Sequence, residues 1–187
     1  KSVDDIEMTF ALNPLSYFLL TSLLLDVLTA SAPARVVNVA SSVHMKAKLD
    51  LFDVHAPRRY AGLRAYSHSK LCNVLFTYEL ARRFEGTGIT ANALHPGLVA
   101  SNILTNNGIL GRFLNMVLGV KGISAEVGAL TSVYAASSPE MEGVSGKYLD
   151  KKQFVSSSTC SYDEADAAAL WELSASLTGI PATSPAP

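Results

Sequence analysis

Cysteine is scarce in this chain: Cys72 and Cys160 are the only two in 187 residues. They lie far apart and lack the paired spacing of a zinc site, so neither a disulfide framework nor a structural zinc is expected. Cys72 falls within an apolar helical pattern and reads as a small buried thiol. Such usage suits a reducing compartment, and a cytoplasmic location is the expectation. An excess of charge is missing as well, since 15 basic residues face 16 acidic ones for a net charge of −1. Without a basic stripe, nucleic acid is not an expected partner. The doublets Arg58-Arg59 and Arg82-Arg83 read as solvated faces. No apolar run is long enough to cross a membrane, which takes about 20 residues. The longest candidate, 15–28, is interrupted by Ser16, Thr21, Ser22 and Asp26. No signal peptide is visible. His44, His55, His68 and His95 show no ligand spacing, so no metal is expected.

What is present is a buried, well-patterned chain. Apolar residues make up 49% and charged residues 17%, the balance of a globular protein with a sizeable core. The length suits one domain, assigned to residues 1–180, with the proline-rich stretch 181–187 as a flexible tail. Ser2-Val-Asp-Asp5 reads as a capped helix start, and the helical pattern runs on toward Ala30. Pro14 should kink or break that helix near Asn13. Residues 35–41 form a short strand, apolar enough to be buried on both faces. Residues 43–63 read as a surface loop. A helix comes next through Leu71, Val74, Leu75, Tyr78 and Ala81, ending at Gly86 and Gly88. Further strands are expected at 89–94 and 146–150, and further helices at 110–118, 124–137 and 162–177. Trp171 in the last helix reads as a core anchor. Strand and helix alternate, so the fold class is α/β with a parallel sheet covered by helices. Three strands with one exposed apolar edge make an incomplete sheet.

The chemistry concentrates in Tyr66-Ser-His-Ser-Lys70 and Ser42. Tyr66 and Lys70 are four residues apart, which on a helix places both on one face. A nearby ammonium favours phenolate and should lower the tyrosine pKa, bringing Tyr66 toward proton exchange with a substrate oxygen. Ser42 closes the apolar strand, where open α/β sheets keep their ligands, and would hold that same oxygen. Asn13 would order a water leading to Lys70. Gly86-Thr-Gly-Ile-Thr-Ala91 fits a G-x-G-x-x-A pattern, but it comes after a helix and opens a strand, so it reads as a helix stop and turn.

These motifs lie in one order along the chain. They are Asn13-Pro-Leu-Ser-Tyr-Phe-Leu-Leu-Thr21, Ala32-Pro-Ala-Arg-Val-Val-Asn-Val-Ala-Ser-Ser42, Ala65-Tyr-Ser-His-Ser-Lys-Leu71 and Thr90-Ala-Asn-Ala-Leu-His-Pro-Gly97, then Gly143-Val-Ser-Gly-Lys-Tyr148 and Leu170-Trp-Glu-Leu-Ser174. The sequence resembles the short-chain dehydrogenase/reductase family, in its retinol-dehydrogenase-like branch, over nearly all of its length. The resemblance implies an incomplete Rossmann-like, doubly wound parallel sheet: the C-terminal part of such a fold. It implies an NAD(P)-dependent oxidoreductase acting on a small, apolar alcohol or carbonyl substrate, with NADP favoured over NAD. It also implies Tyr66 as acid/base, Lys70 on the nicotinamide ribose, Ser42 on the substrate carbonyl and Asn13 in a proton relay. Pro96, Gly97 and Val99 would lie along the nicotinamide, with Ser101 where the family usually has Thr. His95 would pack beside that site, and a homo-oligomer is among the expected assemblies.

Two departures from the family pattern stand out. The branch usually reads Asn-His-Leu-Gly-His at the relay asparagine, where this chain has Asn13-Pro-Leu-Ser-Tyr17. The glycine-rich turn that holds a dinucleotide pyrophosphate does not occur ahead of Asn13. Because Lys1 is not an initiator residue, the expectation is a C-terminal portion whose preceding nucleotide-binding part, with any targeting segment, lies outside the sequence. The rival expectation is a non-catalytic remnant or interaction module that keeps this half without a nucleotide site. Leu110, Phe113, Leu114, Met116 and Val117 would form an apolar lid over the substrate or ordinary core.

Overall fold

The computed structural model describes residues 1–54, 60–99 and 122–182. Three parallel strands form the centre: β1 (Ala34–Val39), β2 (Ile89–His95) and β3 (Tyr148–Asp150). Ala34 pairs with Ile89 and Val39 with Leu94, and Ala93 pairs with Tyr148. A fourth strand, β4 (Gln153–Phe154), folds back antiparallel on β3. The order β1-β2-β3-β4 is the alternating α/β arrangement expected, with one short strand added.

The first helical segment starts later than the sequence suggests. Ser2 caps only a turn, accepting from the amides of Asp4 and Ile6 at 3.2 Å each. Asp5 then takes a left-handed conformation, which no helix interior tolerates. The cap that works is Glu7, whose carboxylate accepts from Thr9 and Phe10 at 2.9 and 2.7 Å and opens α1 (Met8–Phe10). Pro14 does perturb the helix, as its position suggests. Lacking an N–H, it sits in a π-helical turn, Ala11–Leu15, closed by a bond from the Ser16 amide to the Ala11 carbonyl. Regular helix resumes in α2 (Ser16–Leu23) and α3 (Leu25–Ala30). The stretch read as loop holds a 3-10 turn, Ser42–Lys46, and a short α4 (Leu51–Val54).

The long helix α5 (Gly62–Arg83) is the spine of the domain. Every residue from His68 to Leu80 is buried. Its polar members therefore need partners inside. Thr77 accepts from Asn38 of β1 at 2.9 Å, and Glu79 binds Arg82 at 2.6 Å and Arg83 at 2.7 Å. Beside α5 lies α7 (Glu164–Thr178), capped by Asp163 and ended by Gly179 at positive φ. Trp171 of α7 is the core anchor expected, meeting Phe18 edge-on at 5.0 Å and stacking on Phe76 at 5.6 Å.

Alternation along β1 separates two layers. Ala34 and Val36 face the cluster of Phe18, Phe76 and Trp171, whereas Val37 and Val39 face Leu94, Ala135, Met141 and Leu149. The second layer is built on α6 (Ala125–Ser137), opened by Ser124, whose hydroxyl accepts from the Val127 amide. Residues 183–187 of the expected tail and the expected 110–118 helix lie outside the described residues. Ala182, at the start of that tail, is held by Arg83 through its carbonyl at 2.9 Å.

Among the described residues β1 pairs on one side only. Leu20, Leu23, Leu24 and Val27 stand exposed on one layer, and Val127, Leu130 and Val133 on the other. An apolar strand of the central type thus lies at an edge between two unfinished helix layers. The 187-residue chain, prepared alone, is expected to self-associate with rising concentration. Sedimentation velocity checks this, and a discrete, cooperatively melting monomer at high concentration would contradict it.

Candidate active site

The carboxyl ends of β1 and β2 carry the site. Ala40 continues β1 with a bond from its amide to the Leu94 carbonyl at 2.8 Å, and Ser41 stays extended, with φ −162° and ψ 151°. The chain then turns into the 3-10 helix at Ser42. Successive residues of an extended chain point to opposite sides. The Ser41 side chain therefore turns toward the Tyr66 hydroxyl, close enough to pull the phenol pKa down, while Ser42 is exposed. The hydroxyl that the structure brings to Tyr66 is that of Ser41, not that of Ser42 as the sequence suggested.

Tyr66 and Lys70 share one face of α5, as their spacing requires. The Lys70 ammonium lies 5.7 Å from the Tyr66 ring centroid and donates to the Val39 carbonyl at 3.0 Å. Burial pulls the Lys70 pKa down to about 8. Burial also raises Tyr66 above the ordinary tyrosine range, and the Ser41 side chain pulls it back in part. The depression of Tyr66 expected from Lys70 is not the outcome here. Desolvation sets the direction, Ser41 and not Lys70 is the contact that opposes it, and the phenol stands protonated near neutrality.

Val39, the last residue of β1, accepts more than the Lys70 bond. Asn73 donates to its carbonyl at 3.3 Å, and Tyr17 at 3.4 Å from α2. In the sequence Tyr17 stands out only as a departure from the family pattern, and nothing singles out Asn73. Asn13 lies close by, but its amide donates to Ser69 at 2.8 Å, and Ser69 donates to the Tyr66 carbonyl at 2.8 Å. Asn13 thus braces the first turns of α5 and makes no direct bond to Lys70.

Pro96 and Gly97 come directly after β2. Gly97 has a φ of +89°, and a Cβ there would meet Ile123 at 2.8 Å. Val99 bridges to Ile123, which closes the segment against α6. Ser101, the apolar residues 110–117, His55 and the Arg58-Arg59 doublet lie outside the described residues. His95 is half-buried with an unpartnered Nδ1. Among the described residues no cluster of His, Cys, Asp or Glu could hold a metal, and no helix is long and apolar enough to cross a membrane.

A phenol, a hydroxyl and a buried ammonium thus lie together at the carboxyl end of a parallel sheet in a Rossmann-like fold, groups whose chemistry suits proton exchange with a bound oxygen. The family model for short chain dehydrogenase matches residues 1–108, and the chain belongs to that family. Human retinol dehydrogenase 14 is 42% identical over 96% of this chain and 54% of its own length. Mouse retinol dehydrogenase 12 is 44% identical over 96% of this chain and 57% of its own length. Human polyprenol dehydrogenase is 39% identical over 96% of this chain and 57% of its own length. The chain therefore spans about half the length of these relatives. A crystal structure of a protein from Mycobacterium paratuberculosis superposes with a TM-score of 0.73 at 35% identity, covering 95% of this chain and 61% of that one.

The buried lysine gives a test. Its folded-state pKa of about 8 lies below the ordinary 10.5, so between those values the unfolded chain binds more protons. Stability contributed by this group therefore rises with pH across that window, and below about 8 the full cost of the buried charge is present. Lys70→Met is expected to stabilise the protein near pH 7 by on the order of 1–3 kcal/mol. The gain should fade toward pH 10. Urea unfolding of both forms at the two pH values measures it, and a gain that does not fade contradicts the assignment.

Proposed function

We propose that this sequence forms the proton-transfer and substrate half of an NAD(P)-dependent oxidoreductase acting on an apolar alcohol or its carbonyl counterpart. The observation that carries the reading is the pairing of Tyr66 with a buried Lys70 ammonium, 5.7 Å from its ring and bonded to the carbonyl that ends β1, with the Ser41 side chain turned toward the phenol. The names of the relatives, retinol and polyprenol dehydrogenases, point to an apolar, retinoid-like substrate. NADP is the favoured cofactor on the family resemblance.

The residues present fit the nicotinamide end of such a cofactor. One Lys70 proton goes to Val39, which leaves two donors for ribose hydroxyls. Gly97 keeps its backbone clear of a side chain beside the strand end. Bound nicotinamide supplies or accepts the hydride. The chain's own residues do the rest. Tyr66, kept protonated by burial, gives its phenolic proton to the carbonyl oxygen during reduction and takes it back during alcohol oxidation. Ser41 donates to that oxygen and fixes it beside the phenol. Lys70 and Pro96, Gly97 and Val99 orient the cofactor end, and Asn13 steadies α5 through Ser69.

The test uses the full-length protein carrying this sequence, with retinaldehyde and NADPH or NADH. Tyr66→Phe should abolish turnover and leave NADPH affinity within about twofold. Ser41→Ala should lower kcat by about 10²–10³, as for removal of one oxyanion donor. Ser42→Ala should stay near wild type. Equal losses in the two serine variants, or substantial turnover by Tyr66→Phe, would sink the reading.

A further inference from the structure

His44 takes no part in the proton-transfer site, yet every polar atom of its ring is committed. It is fully buried, with 0% exposure. Nδ1 stands 2.6 Å from the Ser41 carbonyl oxygen, which has no proton to give, so Nδ1 must carry the hydrogen. The His44 backbone amide bonds the same carbonyl at 3.2 Å. Nε2 accepts from the Ser158 amide at 3.2 Å, and a second proton there would face another N–H. The ring lies tilted on Tyr148 of β3 at 4.9 Å, and His95 of β2 opposes any positive charge on it. The neutral Nδ1–H tautomer is therefore built into the fold.

The far end of this contact returns to the catalytic helix. Ser158 sits in a turn whose neighbour Ser157 bonds the Tyr78 hydroxyl at 2.8 Å and Ser161 at 2.6 Å. Tyr78 lies on α5 with Tyr66, about 18 Å further along at 1.5 Å per residue. Hydrogen bonds from Ser41 through His44 to the 157–161 turn and on to Tyr78 thus tie the residue that faces Tyr66 back to the same helix.

We propose that His44 is a positioning residue, a neutral imidazole pin that holds the Ser41 hydroxyl against Tyr66 by bracing the end of β1 against the 157–161 turn and α5. The inference rests on the roles proposed for Ser41 and Tyr66. The Tyr66 phenol is faced by Ser41 from the end of β1, Lys70 from its own helix and Tyr17 from α2. Loosening Ser41 removes the one contact among these that lowers the Tyr66 pKa.

The experiment has two arms on the full-length protein. In the first, long-range proton–nitrogen spectra of the wild type should show His44 protonated at Nδ1 and not titrating near neutrality. With ring-labelled tyrosine, His44→Leu should move the Tyr66 titration upward by at least about half a unit, while His44→Asn, which keeps a donor for Ser41, should restore most of it. In the second, retinaldehyde reduction by His44→Leu should lose about tenfold or more in kcat with the KM for NADPH within about twofold, and His44→Asn should recover most of that rate. An Nε2-protonated or titrating His44 overturns the proposal even where no variant folds. An unshifted Tyr66, or equal losses in the Leu and Asn variants, overturns it as well. A wild type that passes the spectroscopic arm without turning over any carbonyl overturns the proposed function and leaves the pin standing.

Discussion

The Val39 carbonyl is the point on which the site depends. It ends β1, and donors reach it from Lys70 and Asn73 on α5 and from Tyr17 on α2. A carbonyl oxygen inside a protein is a strong partial charge, and here it carries a buried ammonium. Moving the end of β1 would leave that ammonium without its hydrogen bond, at a cost of several kcal/mol. The strand end, the long helix and the kinked first helices are thereby locked to one another, and the Tyr66–Ser41 contact is built upon that lock.

The remainder of the architecture serves to keep α5 where that carbonyl needs it. Aromatic packing of Phe18, Phe76 and Trp171 fixes the helix against α7, and Arg83 ties its last turn to Glu79 and to the Ala182 carbonyl. Arg83 also lies over the Trp171 ring at 4.5 Å. The polar lock and the aromatic packing together hold the buried stretch of α5, His68 to Leu80, in place. Fixed placement of this kind is what a proton-transfer pair needs, because small displacements are costly to rate.

Much of this was legible in the amino-acid sequence. Periodicity gave the three parallel strands, and spacing gave the shared face of Tyr66 and Lys70. The failures are local and have physical reasons. Ser41 and Ser42 are chemically alike, and which one faces inward depends on where the chain leaves the extended state. That point is set by the Ala40–Leu94 hydrogen bond, a tertiary contact. Ser2 looked like a helix cap because spacing alone does not reveal the left-handed Asp5. The direction of the Tyr66 shift was missed because pairwise attraction is readable from spacing and desolvation is not. Tyr17 and Asn73 needed the fold before their common target could be seen.

The two cysteines differ in a way that has practical value. Cys72 is fully buried on α5, and burial pushes its thiol far above the usual range, so reagents that need a thiolate will leave it untouched. Cys160 is partly exposed and sits in the turn that the His44 ring holds through Ser158. In these 187 residues a thiol-directed fluorophore or spin label would accordingly go to one place, the turn bonded to the His44 ring. Within these 187 residues, the protein carries its own address for a reporter of how tightly the Ser41 turn is held.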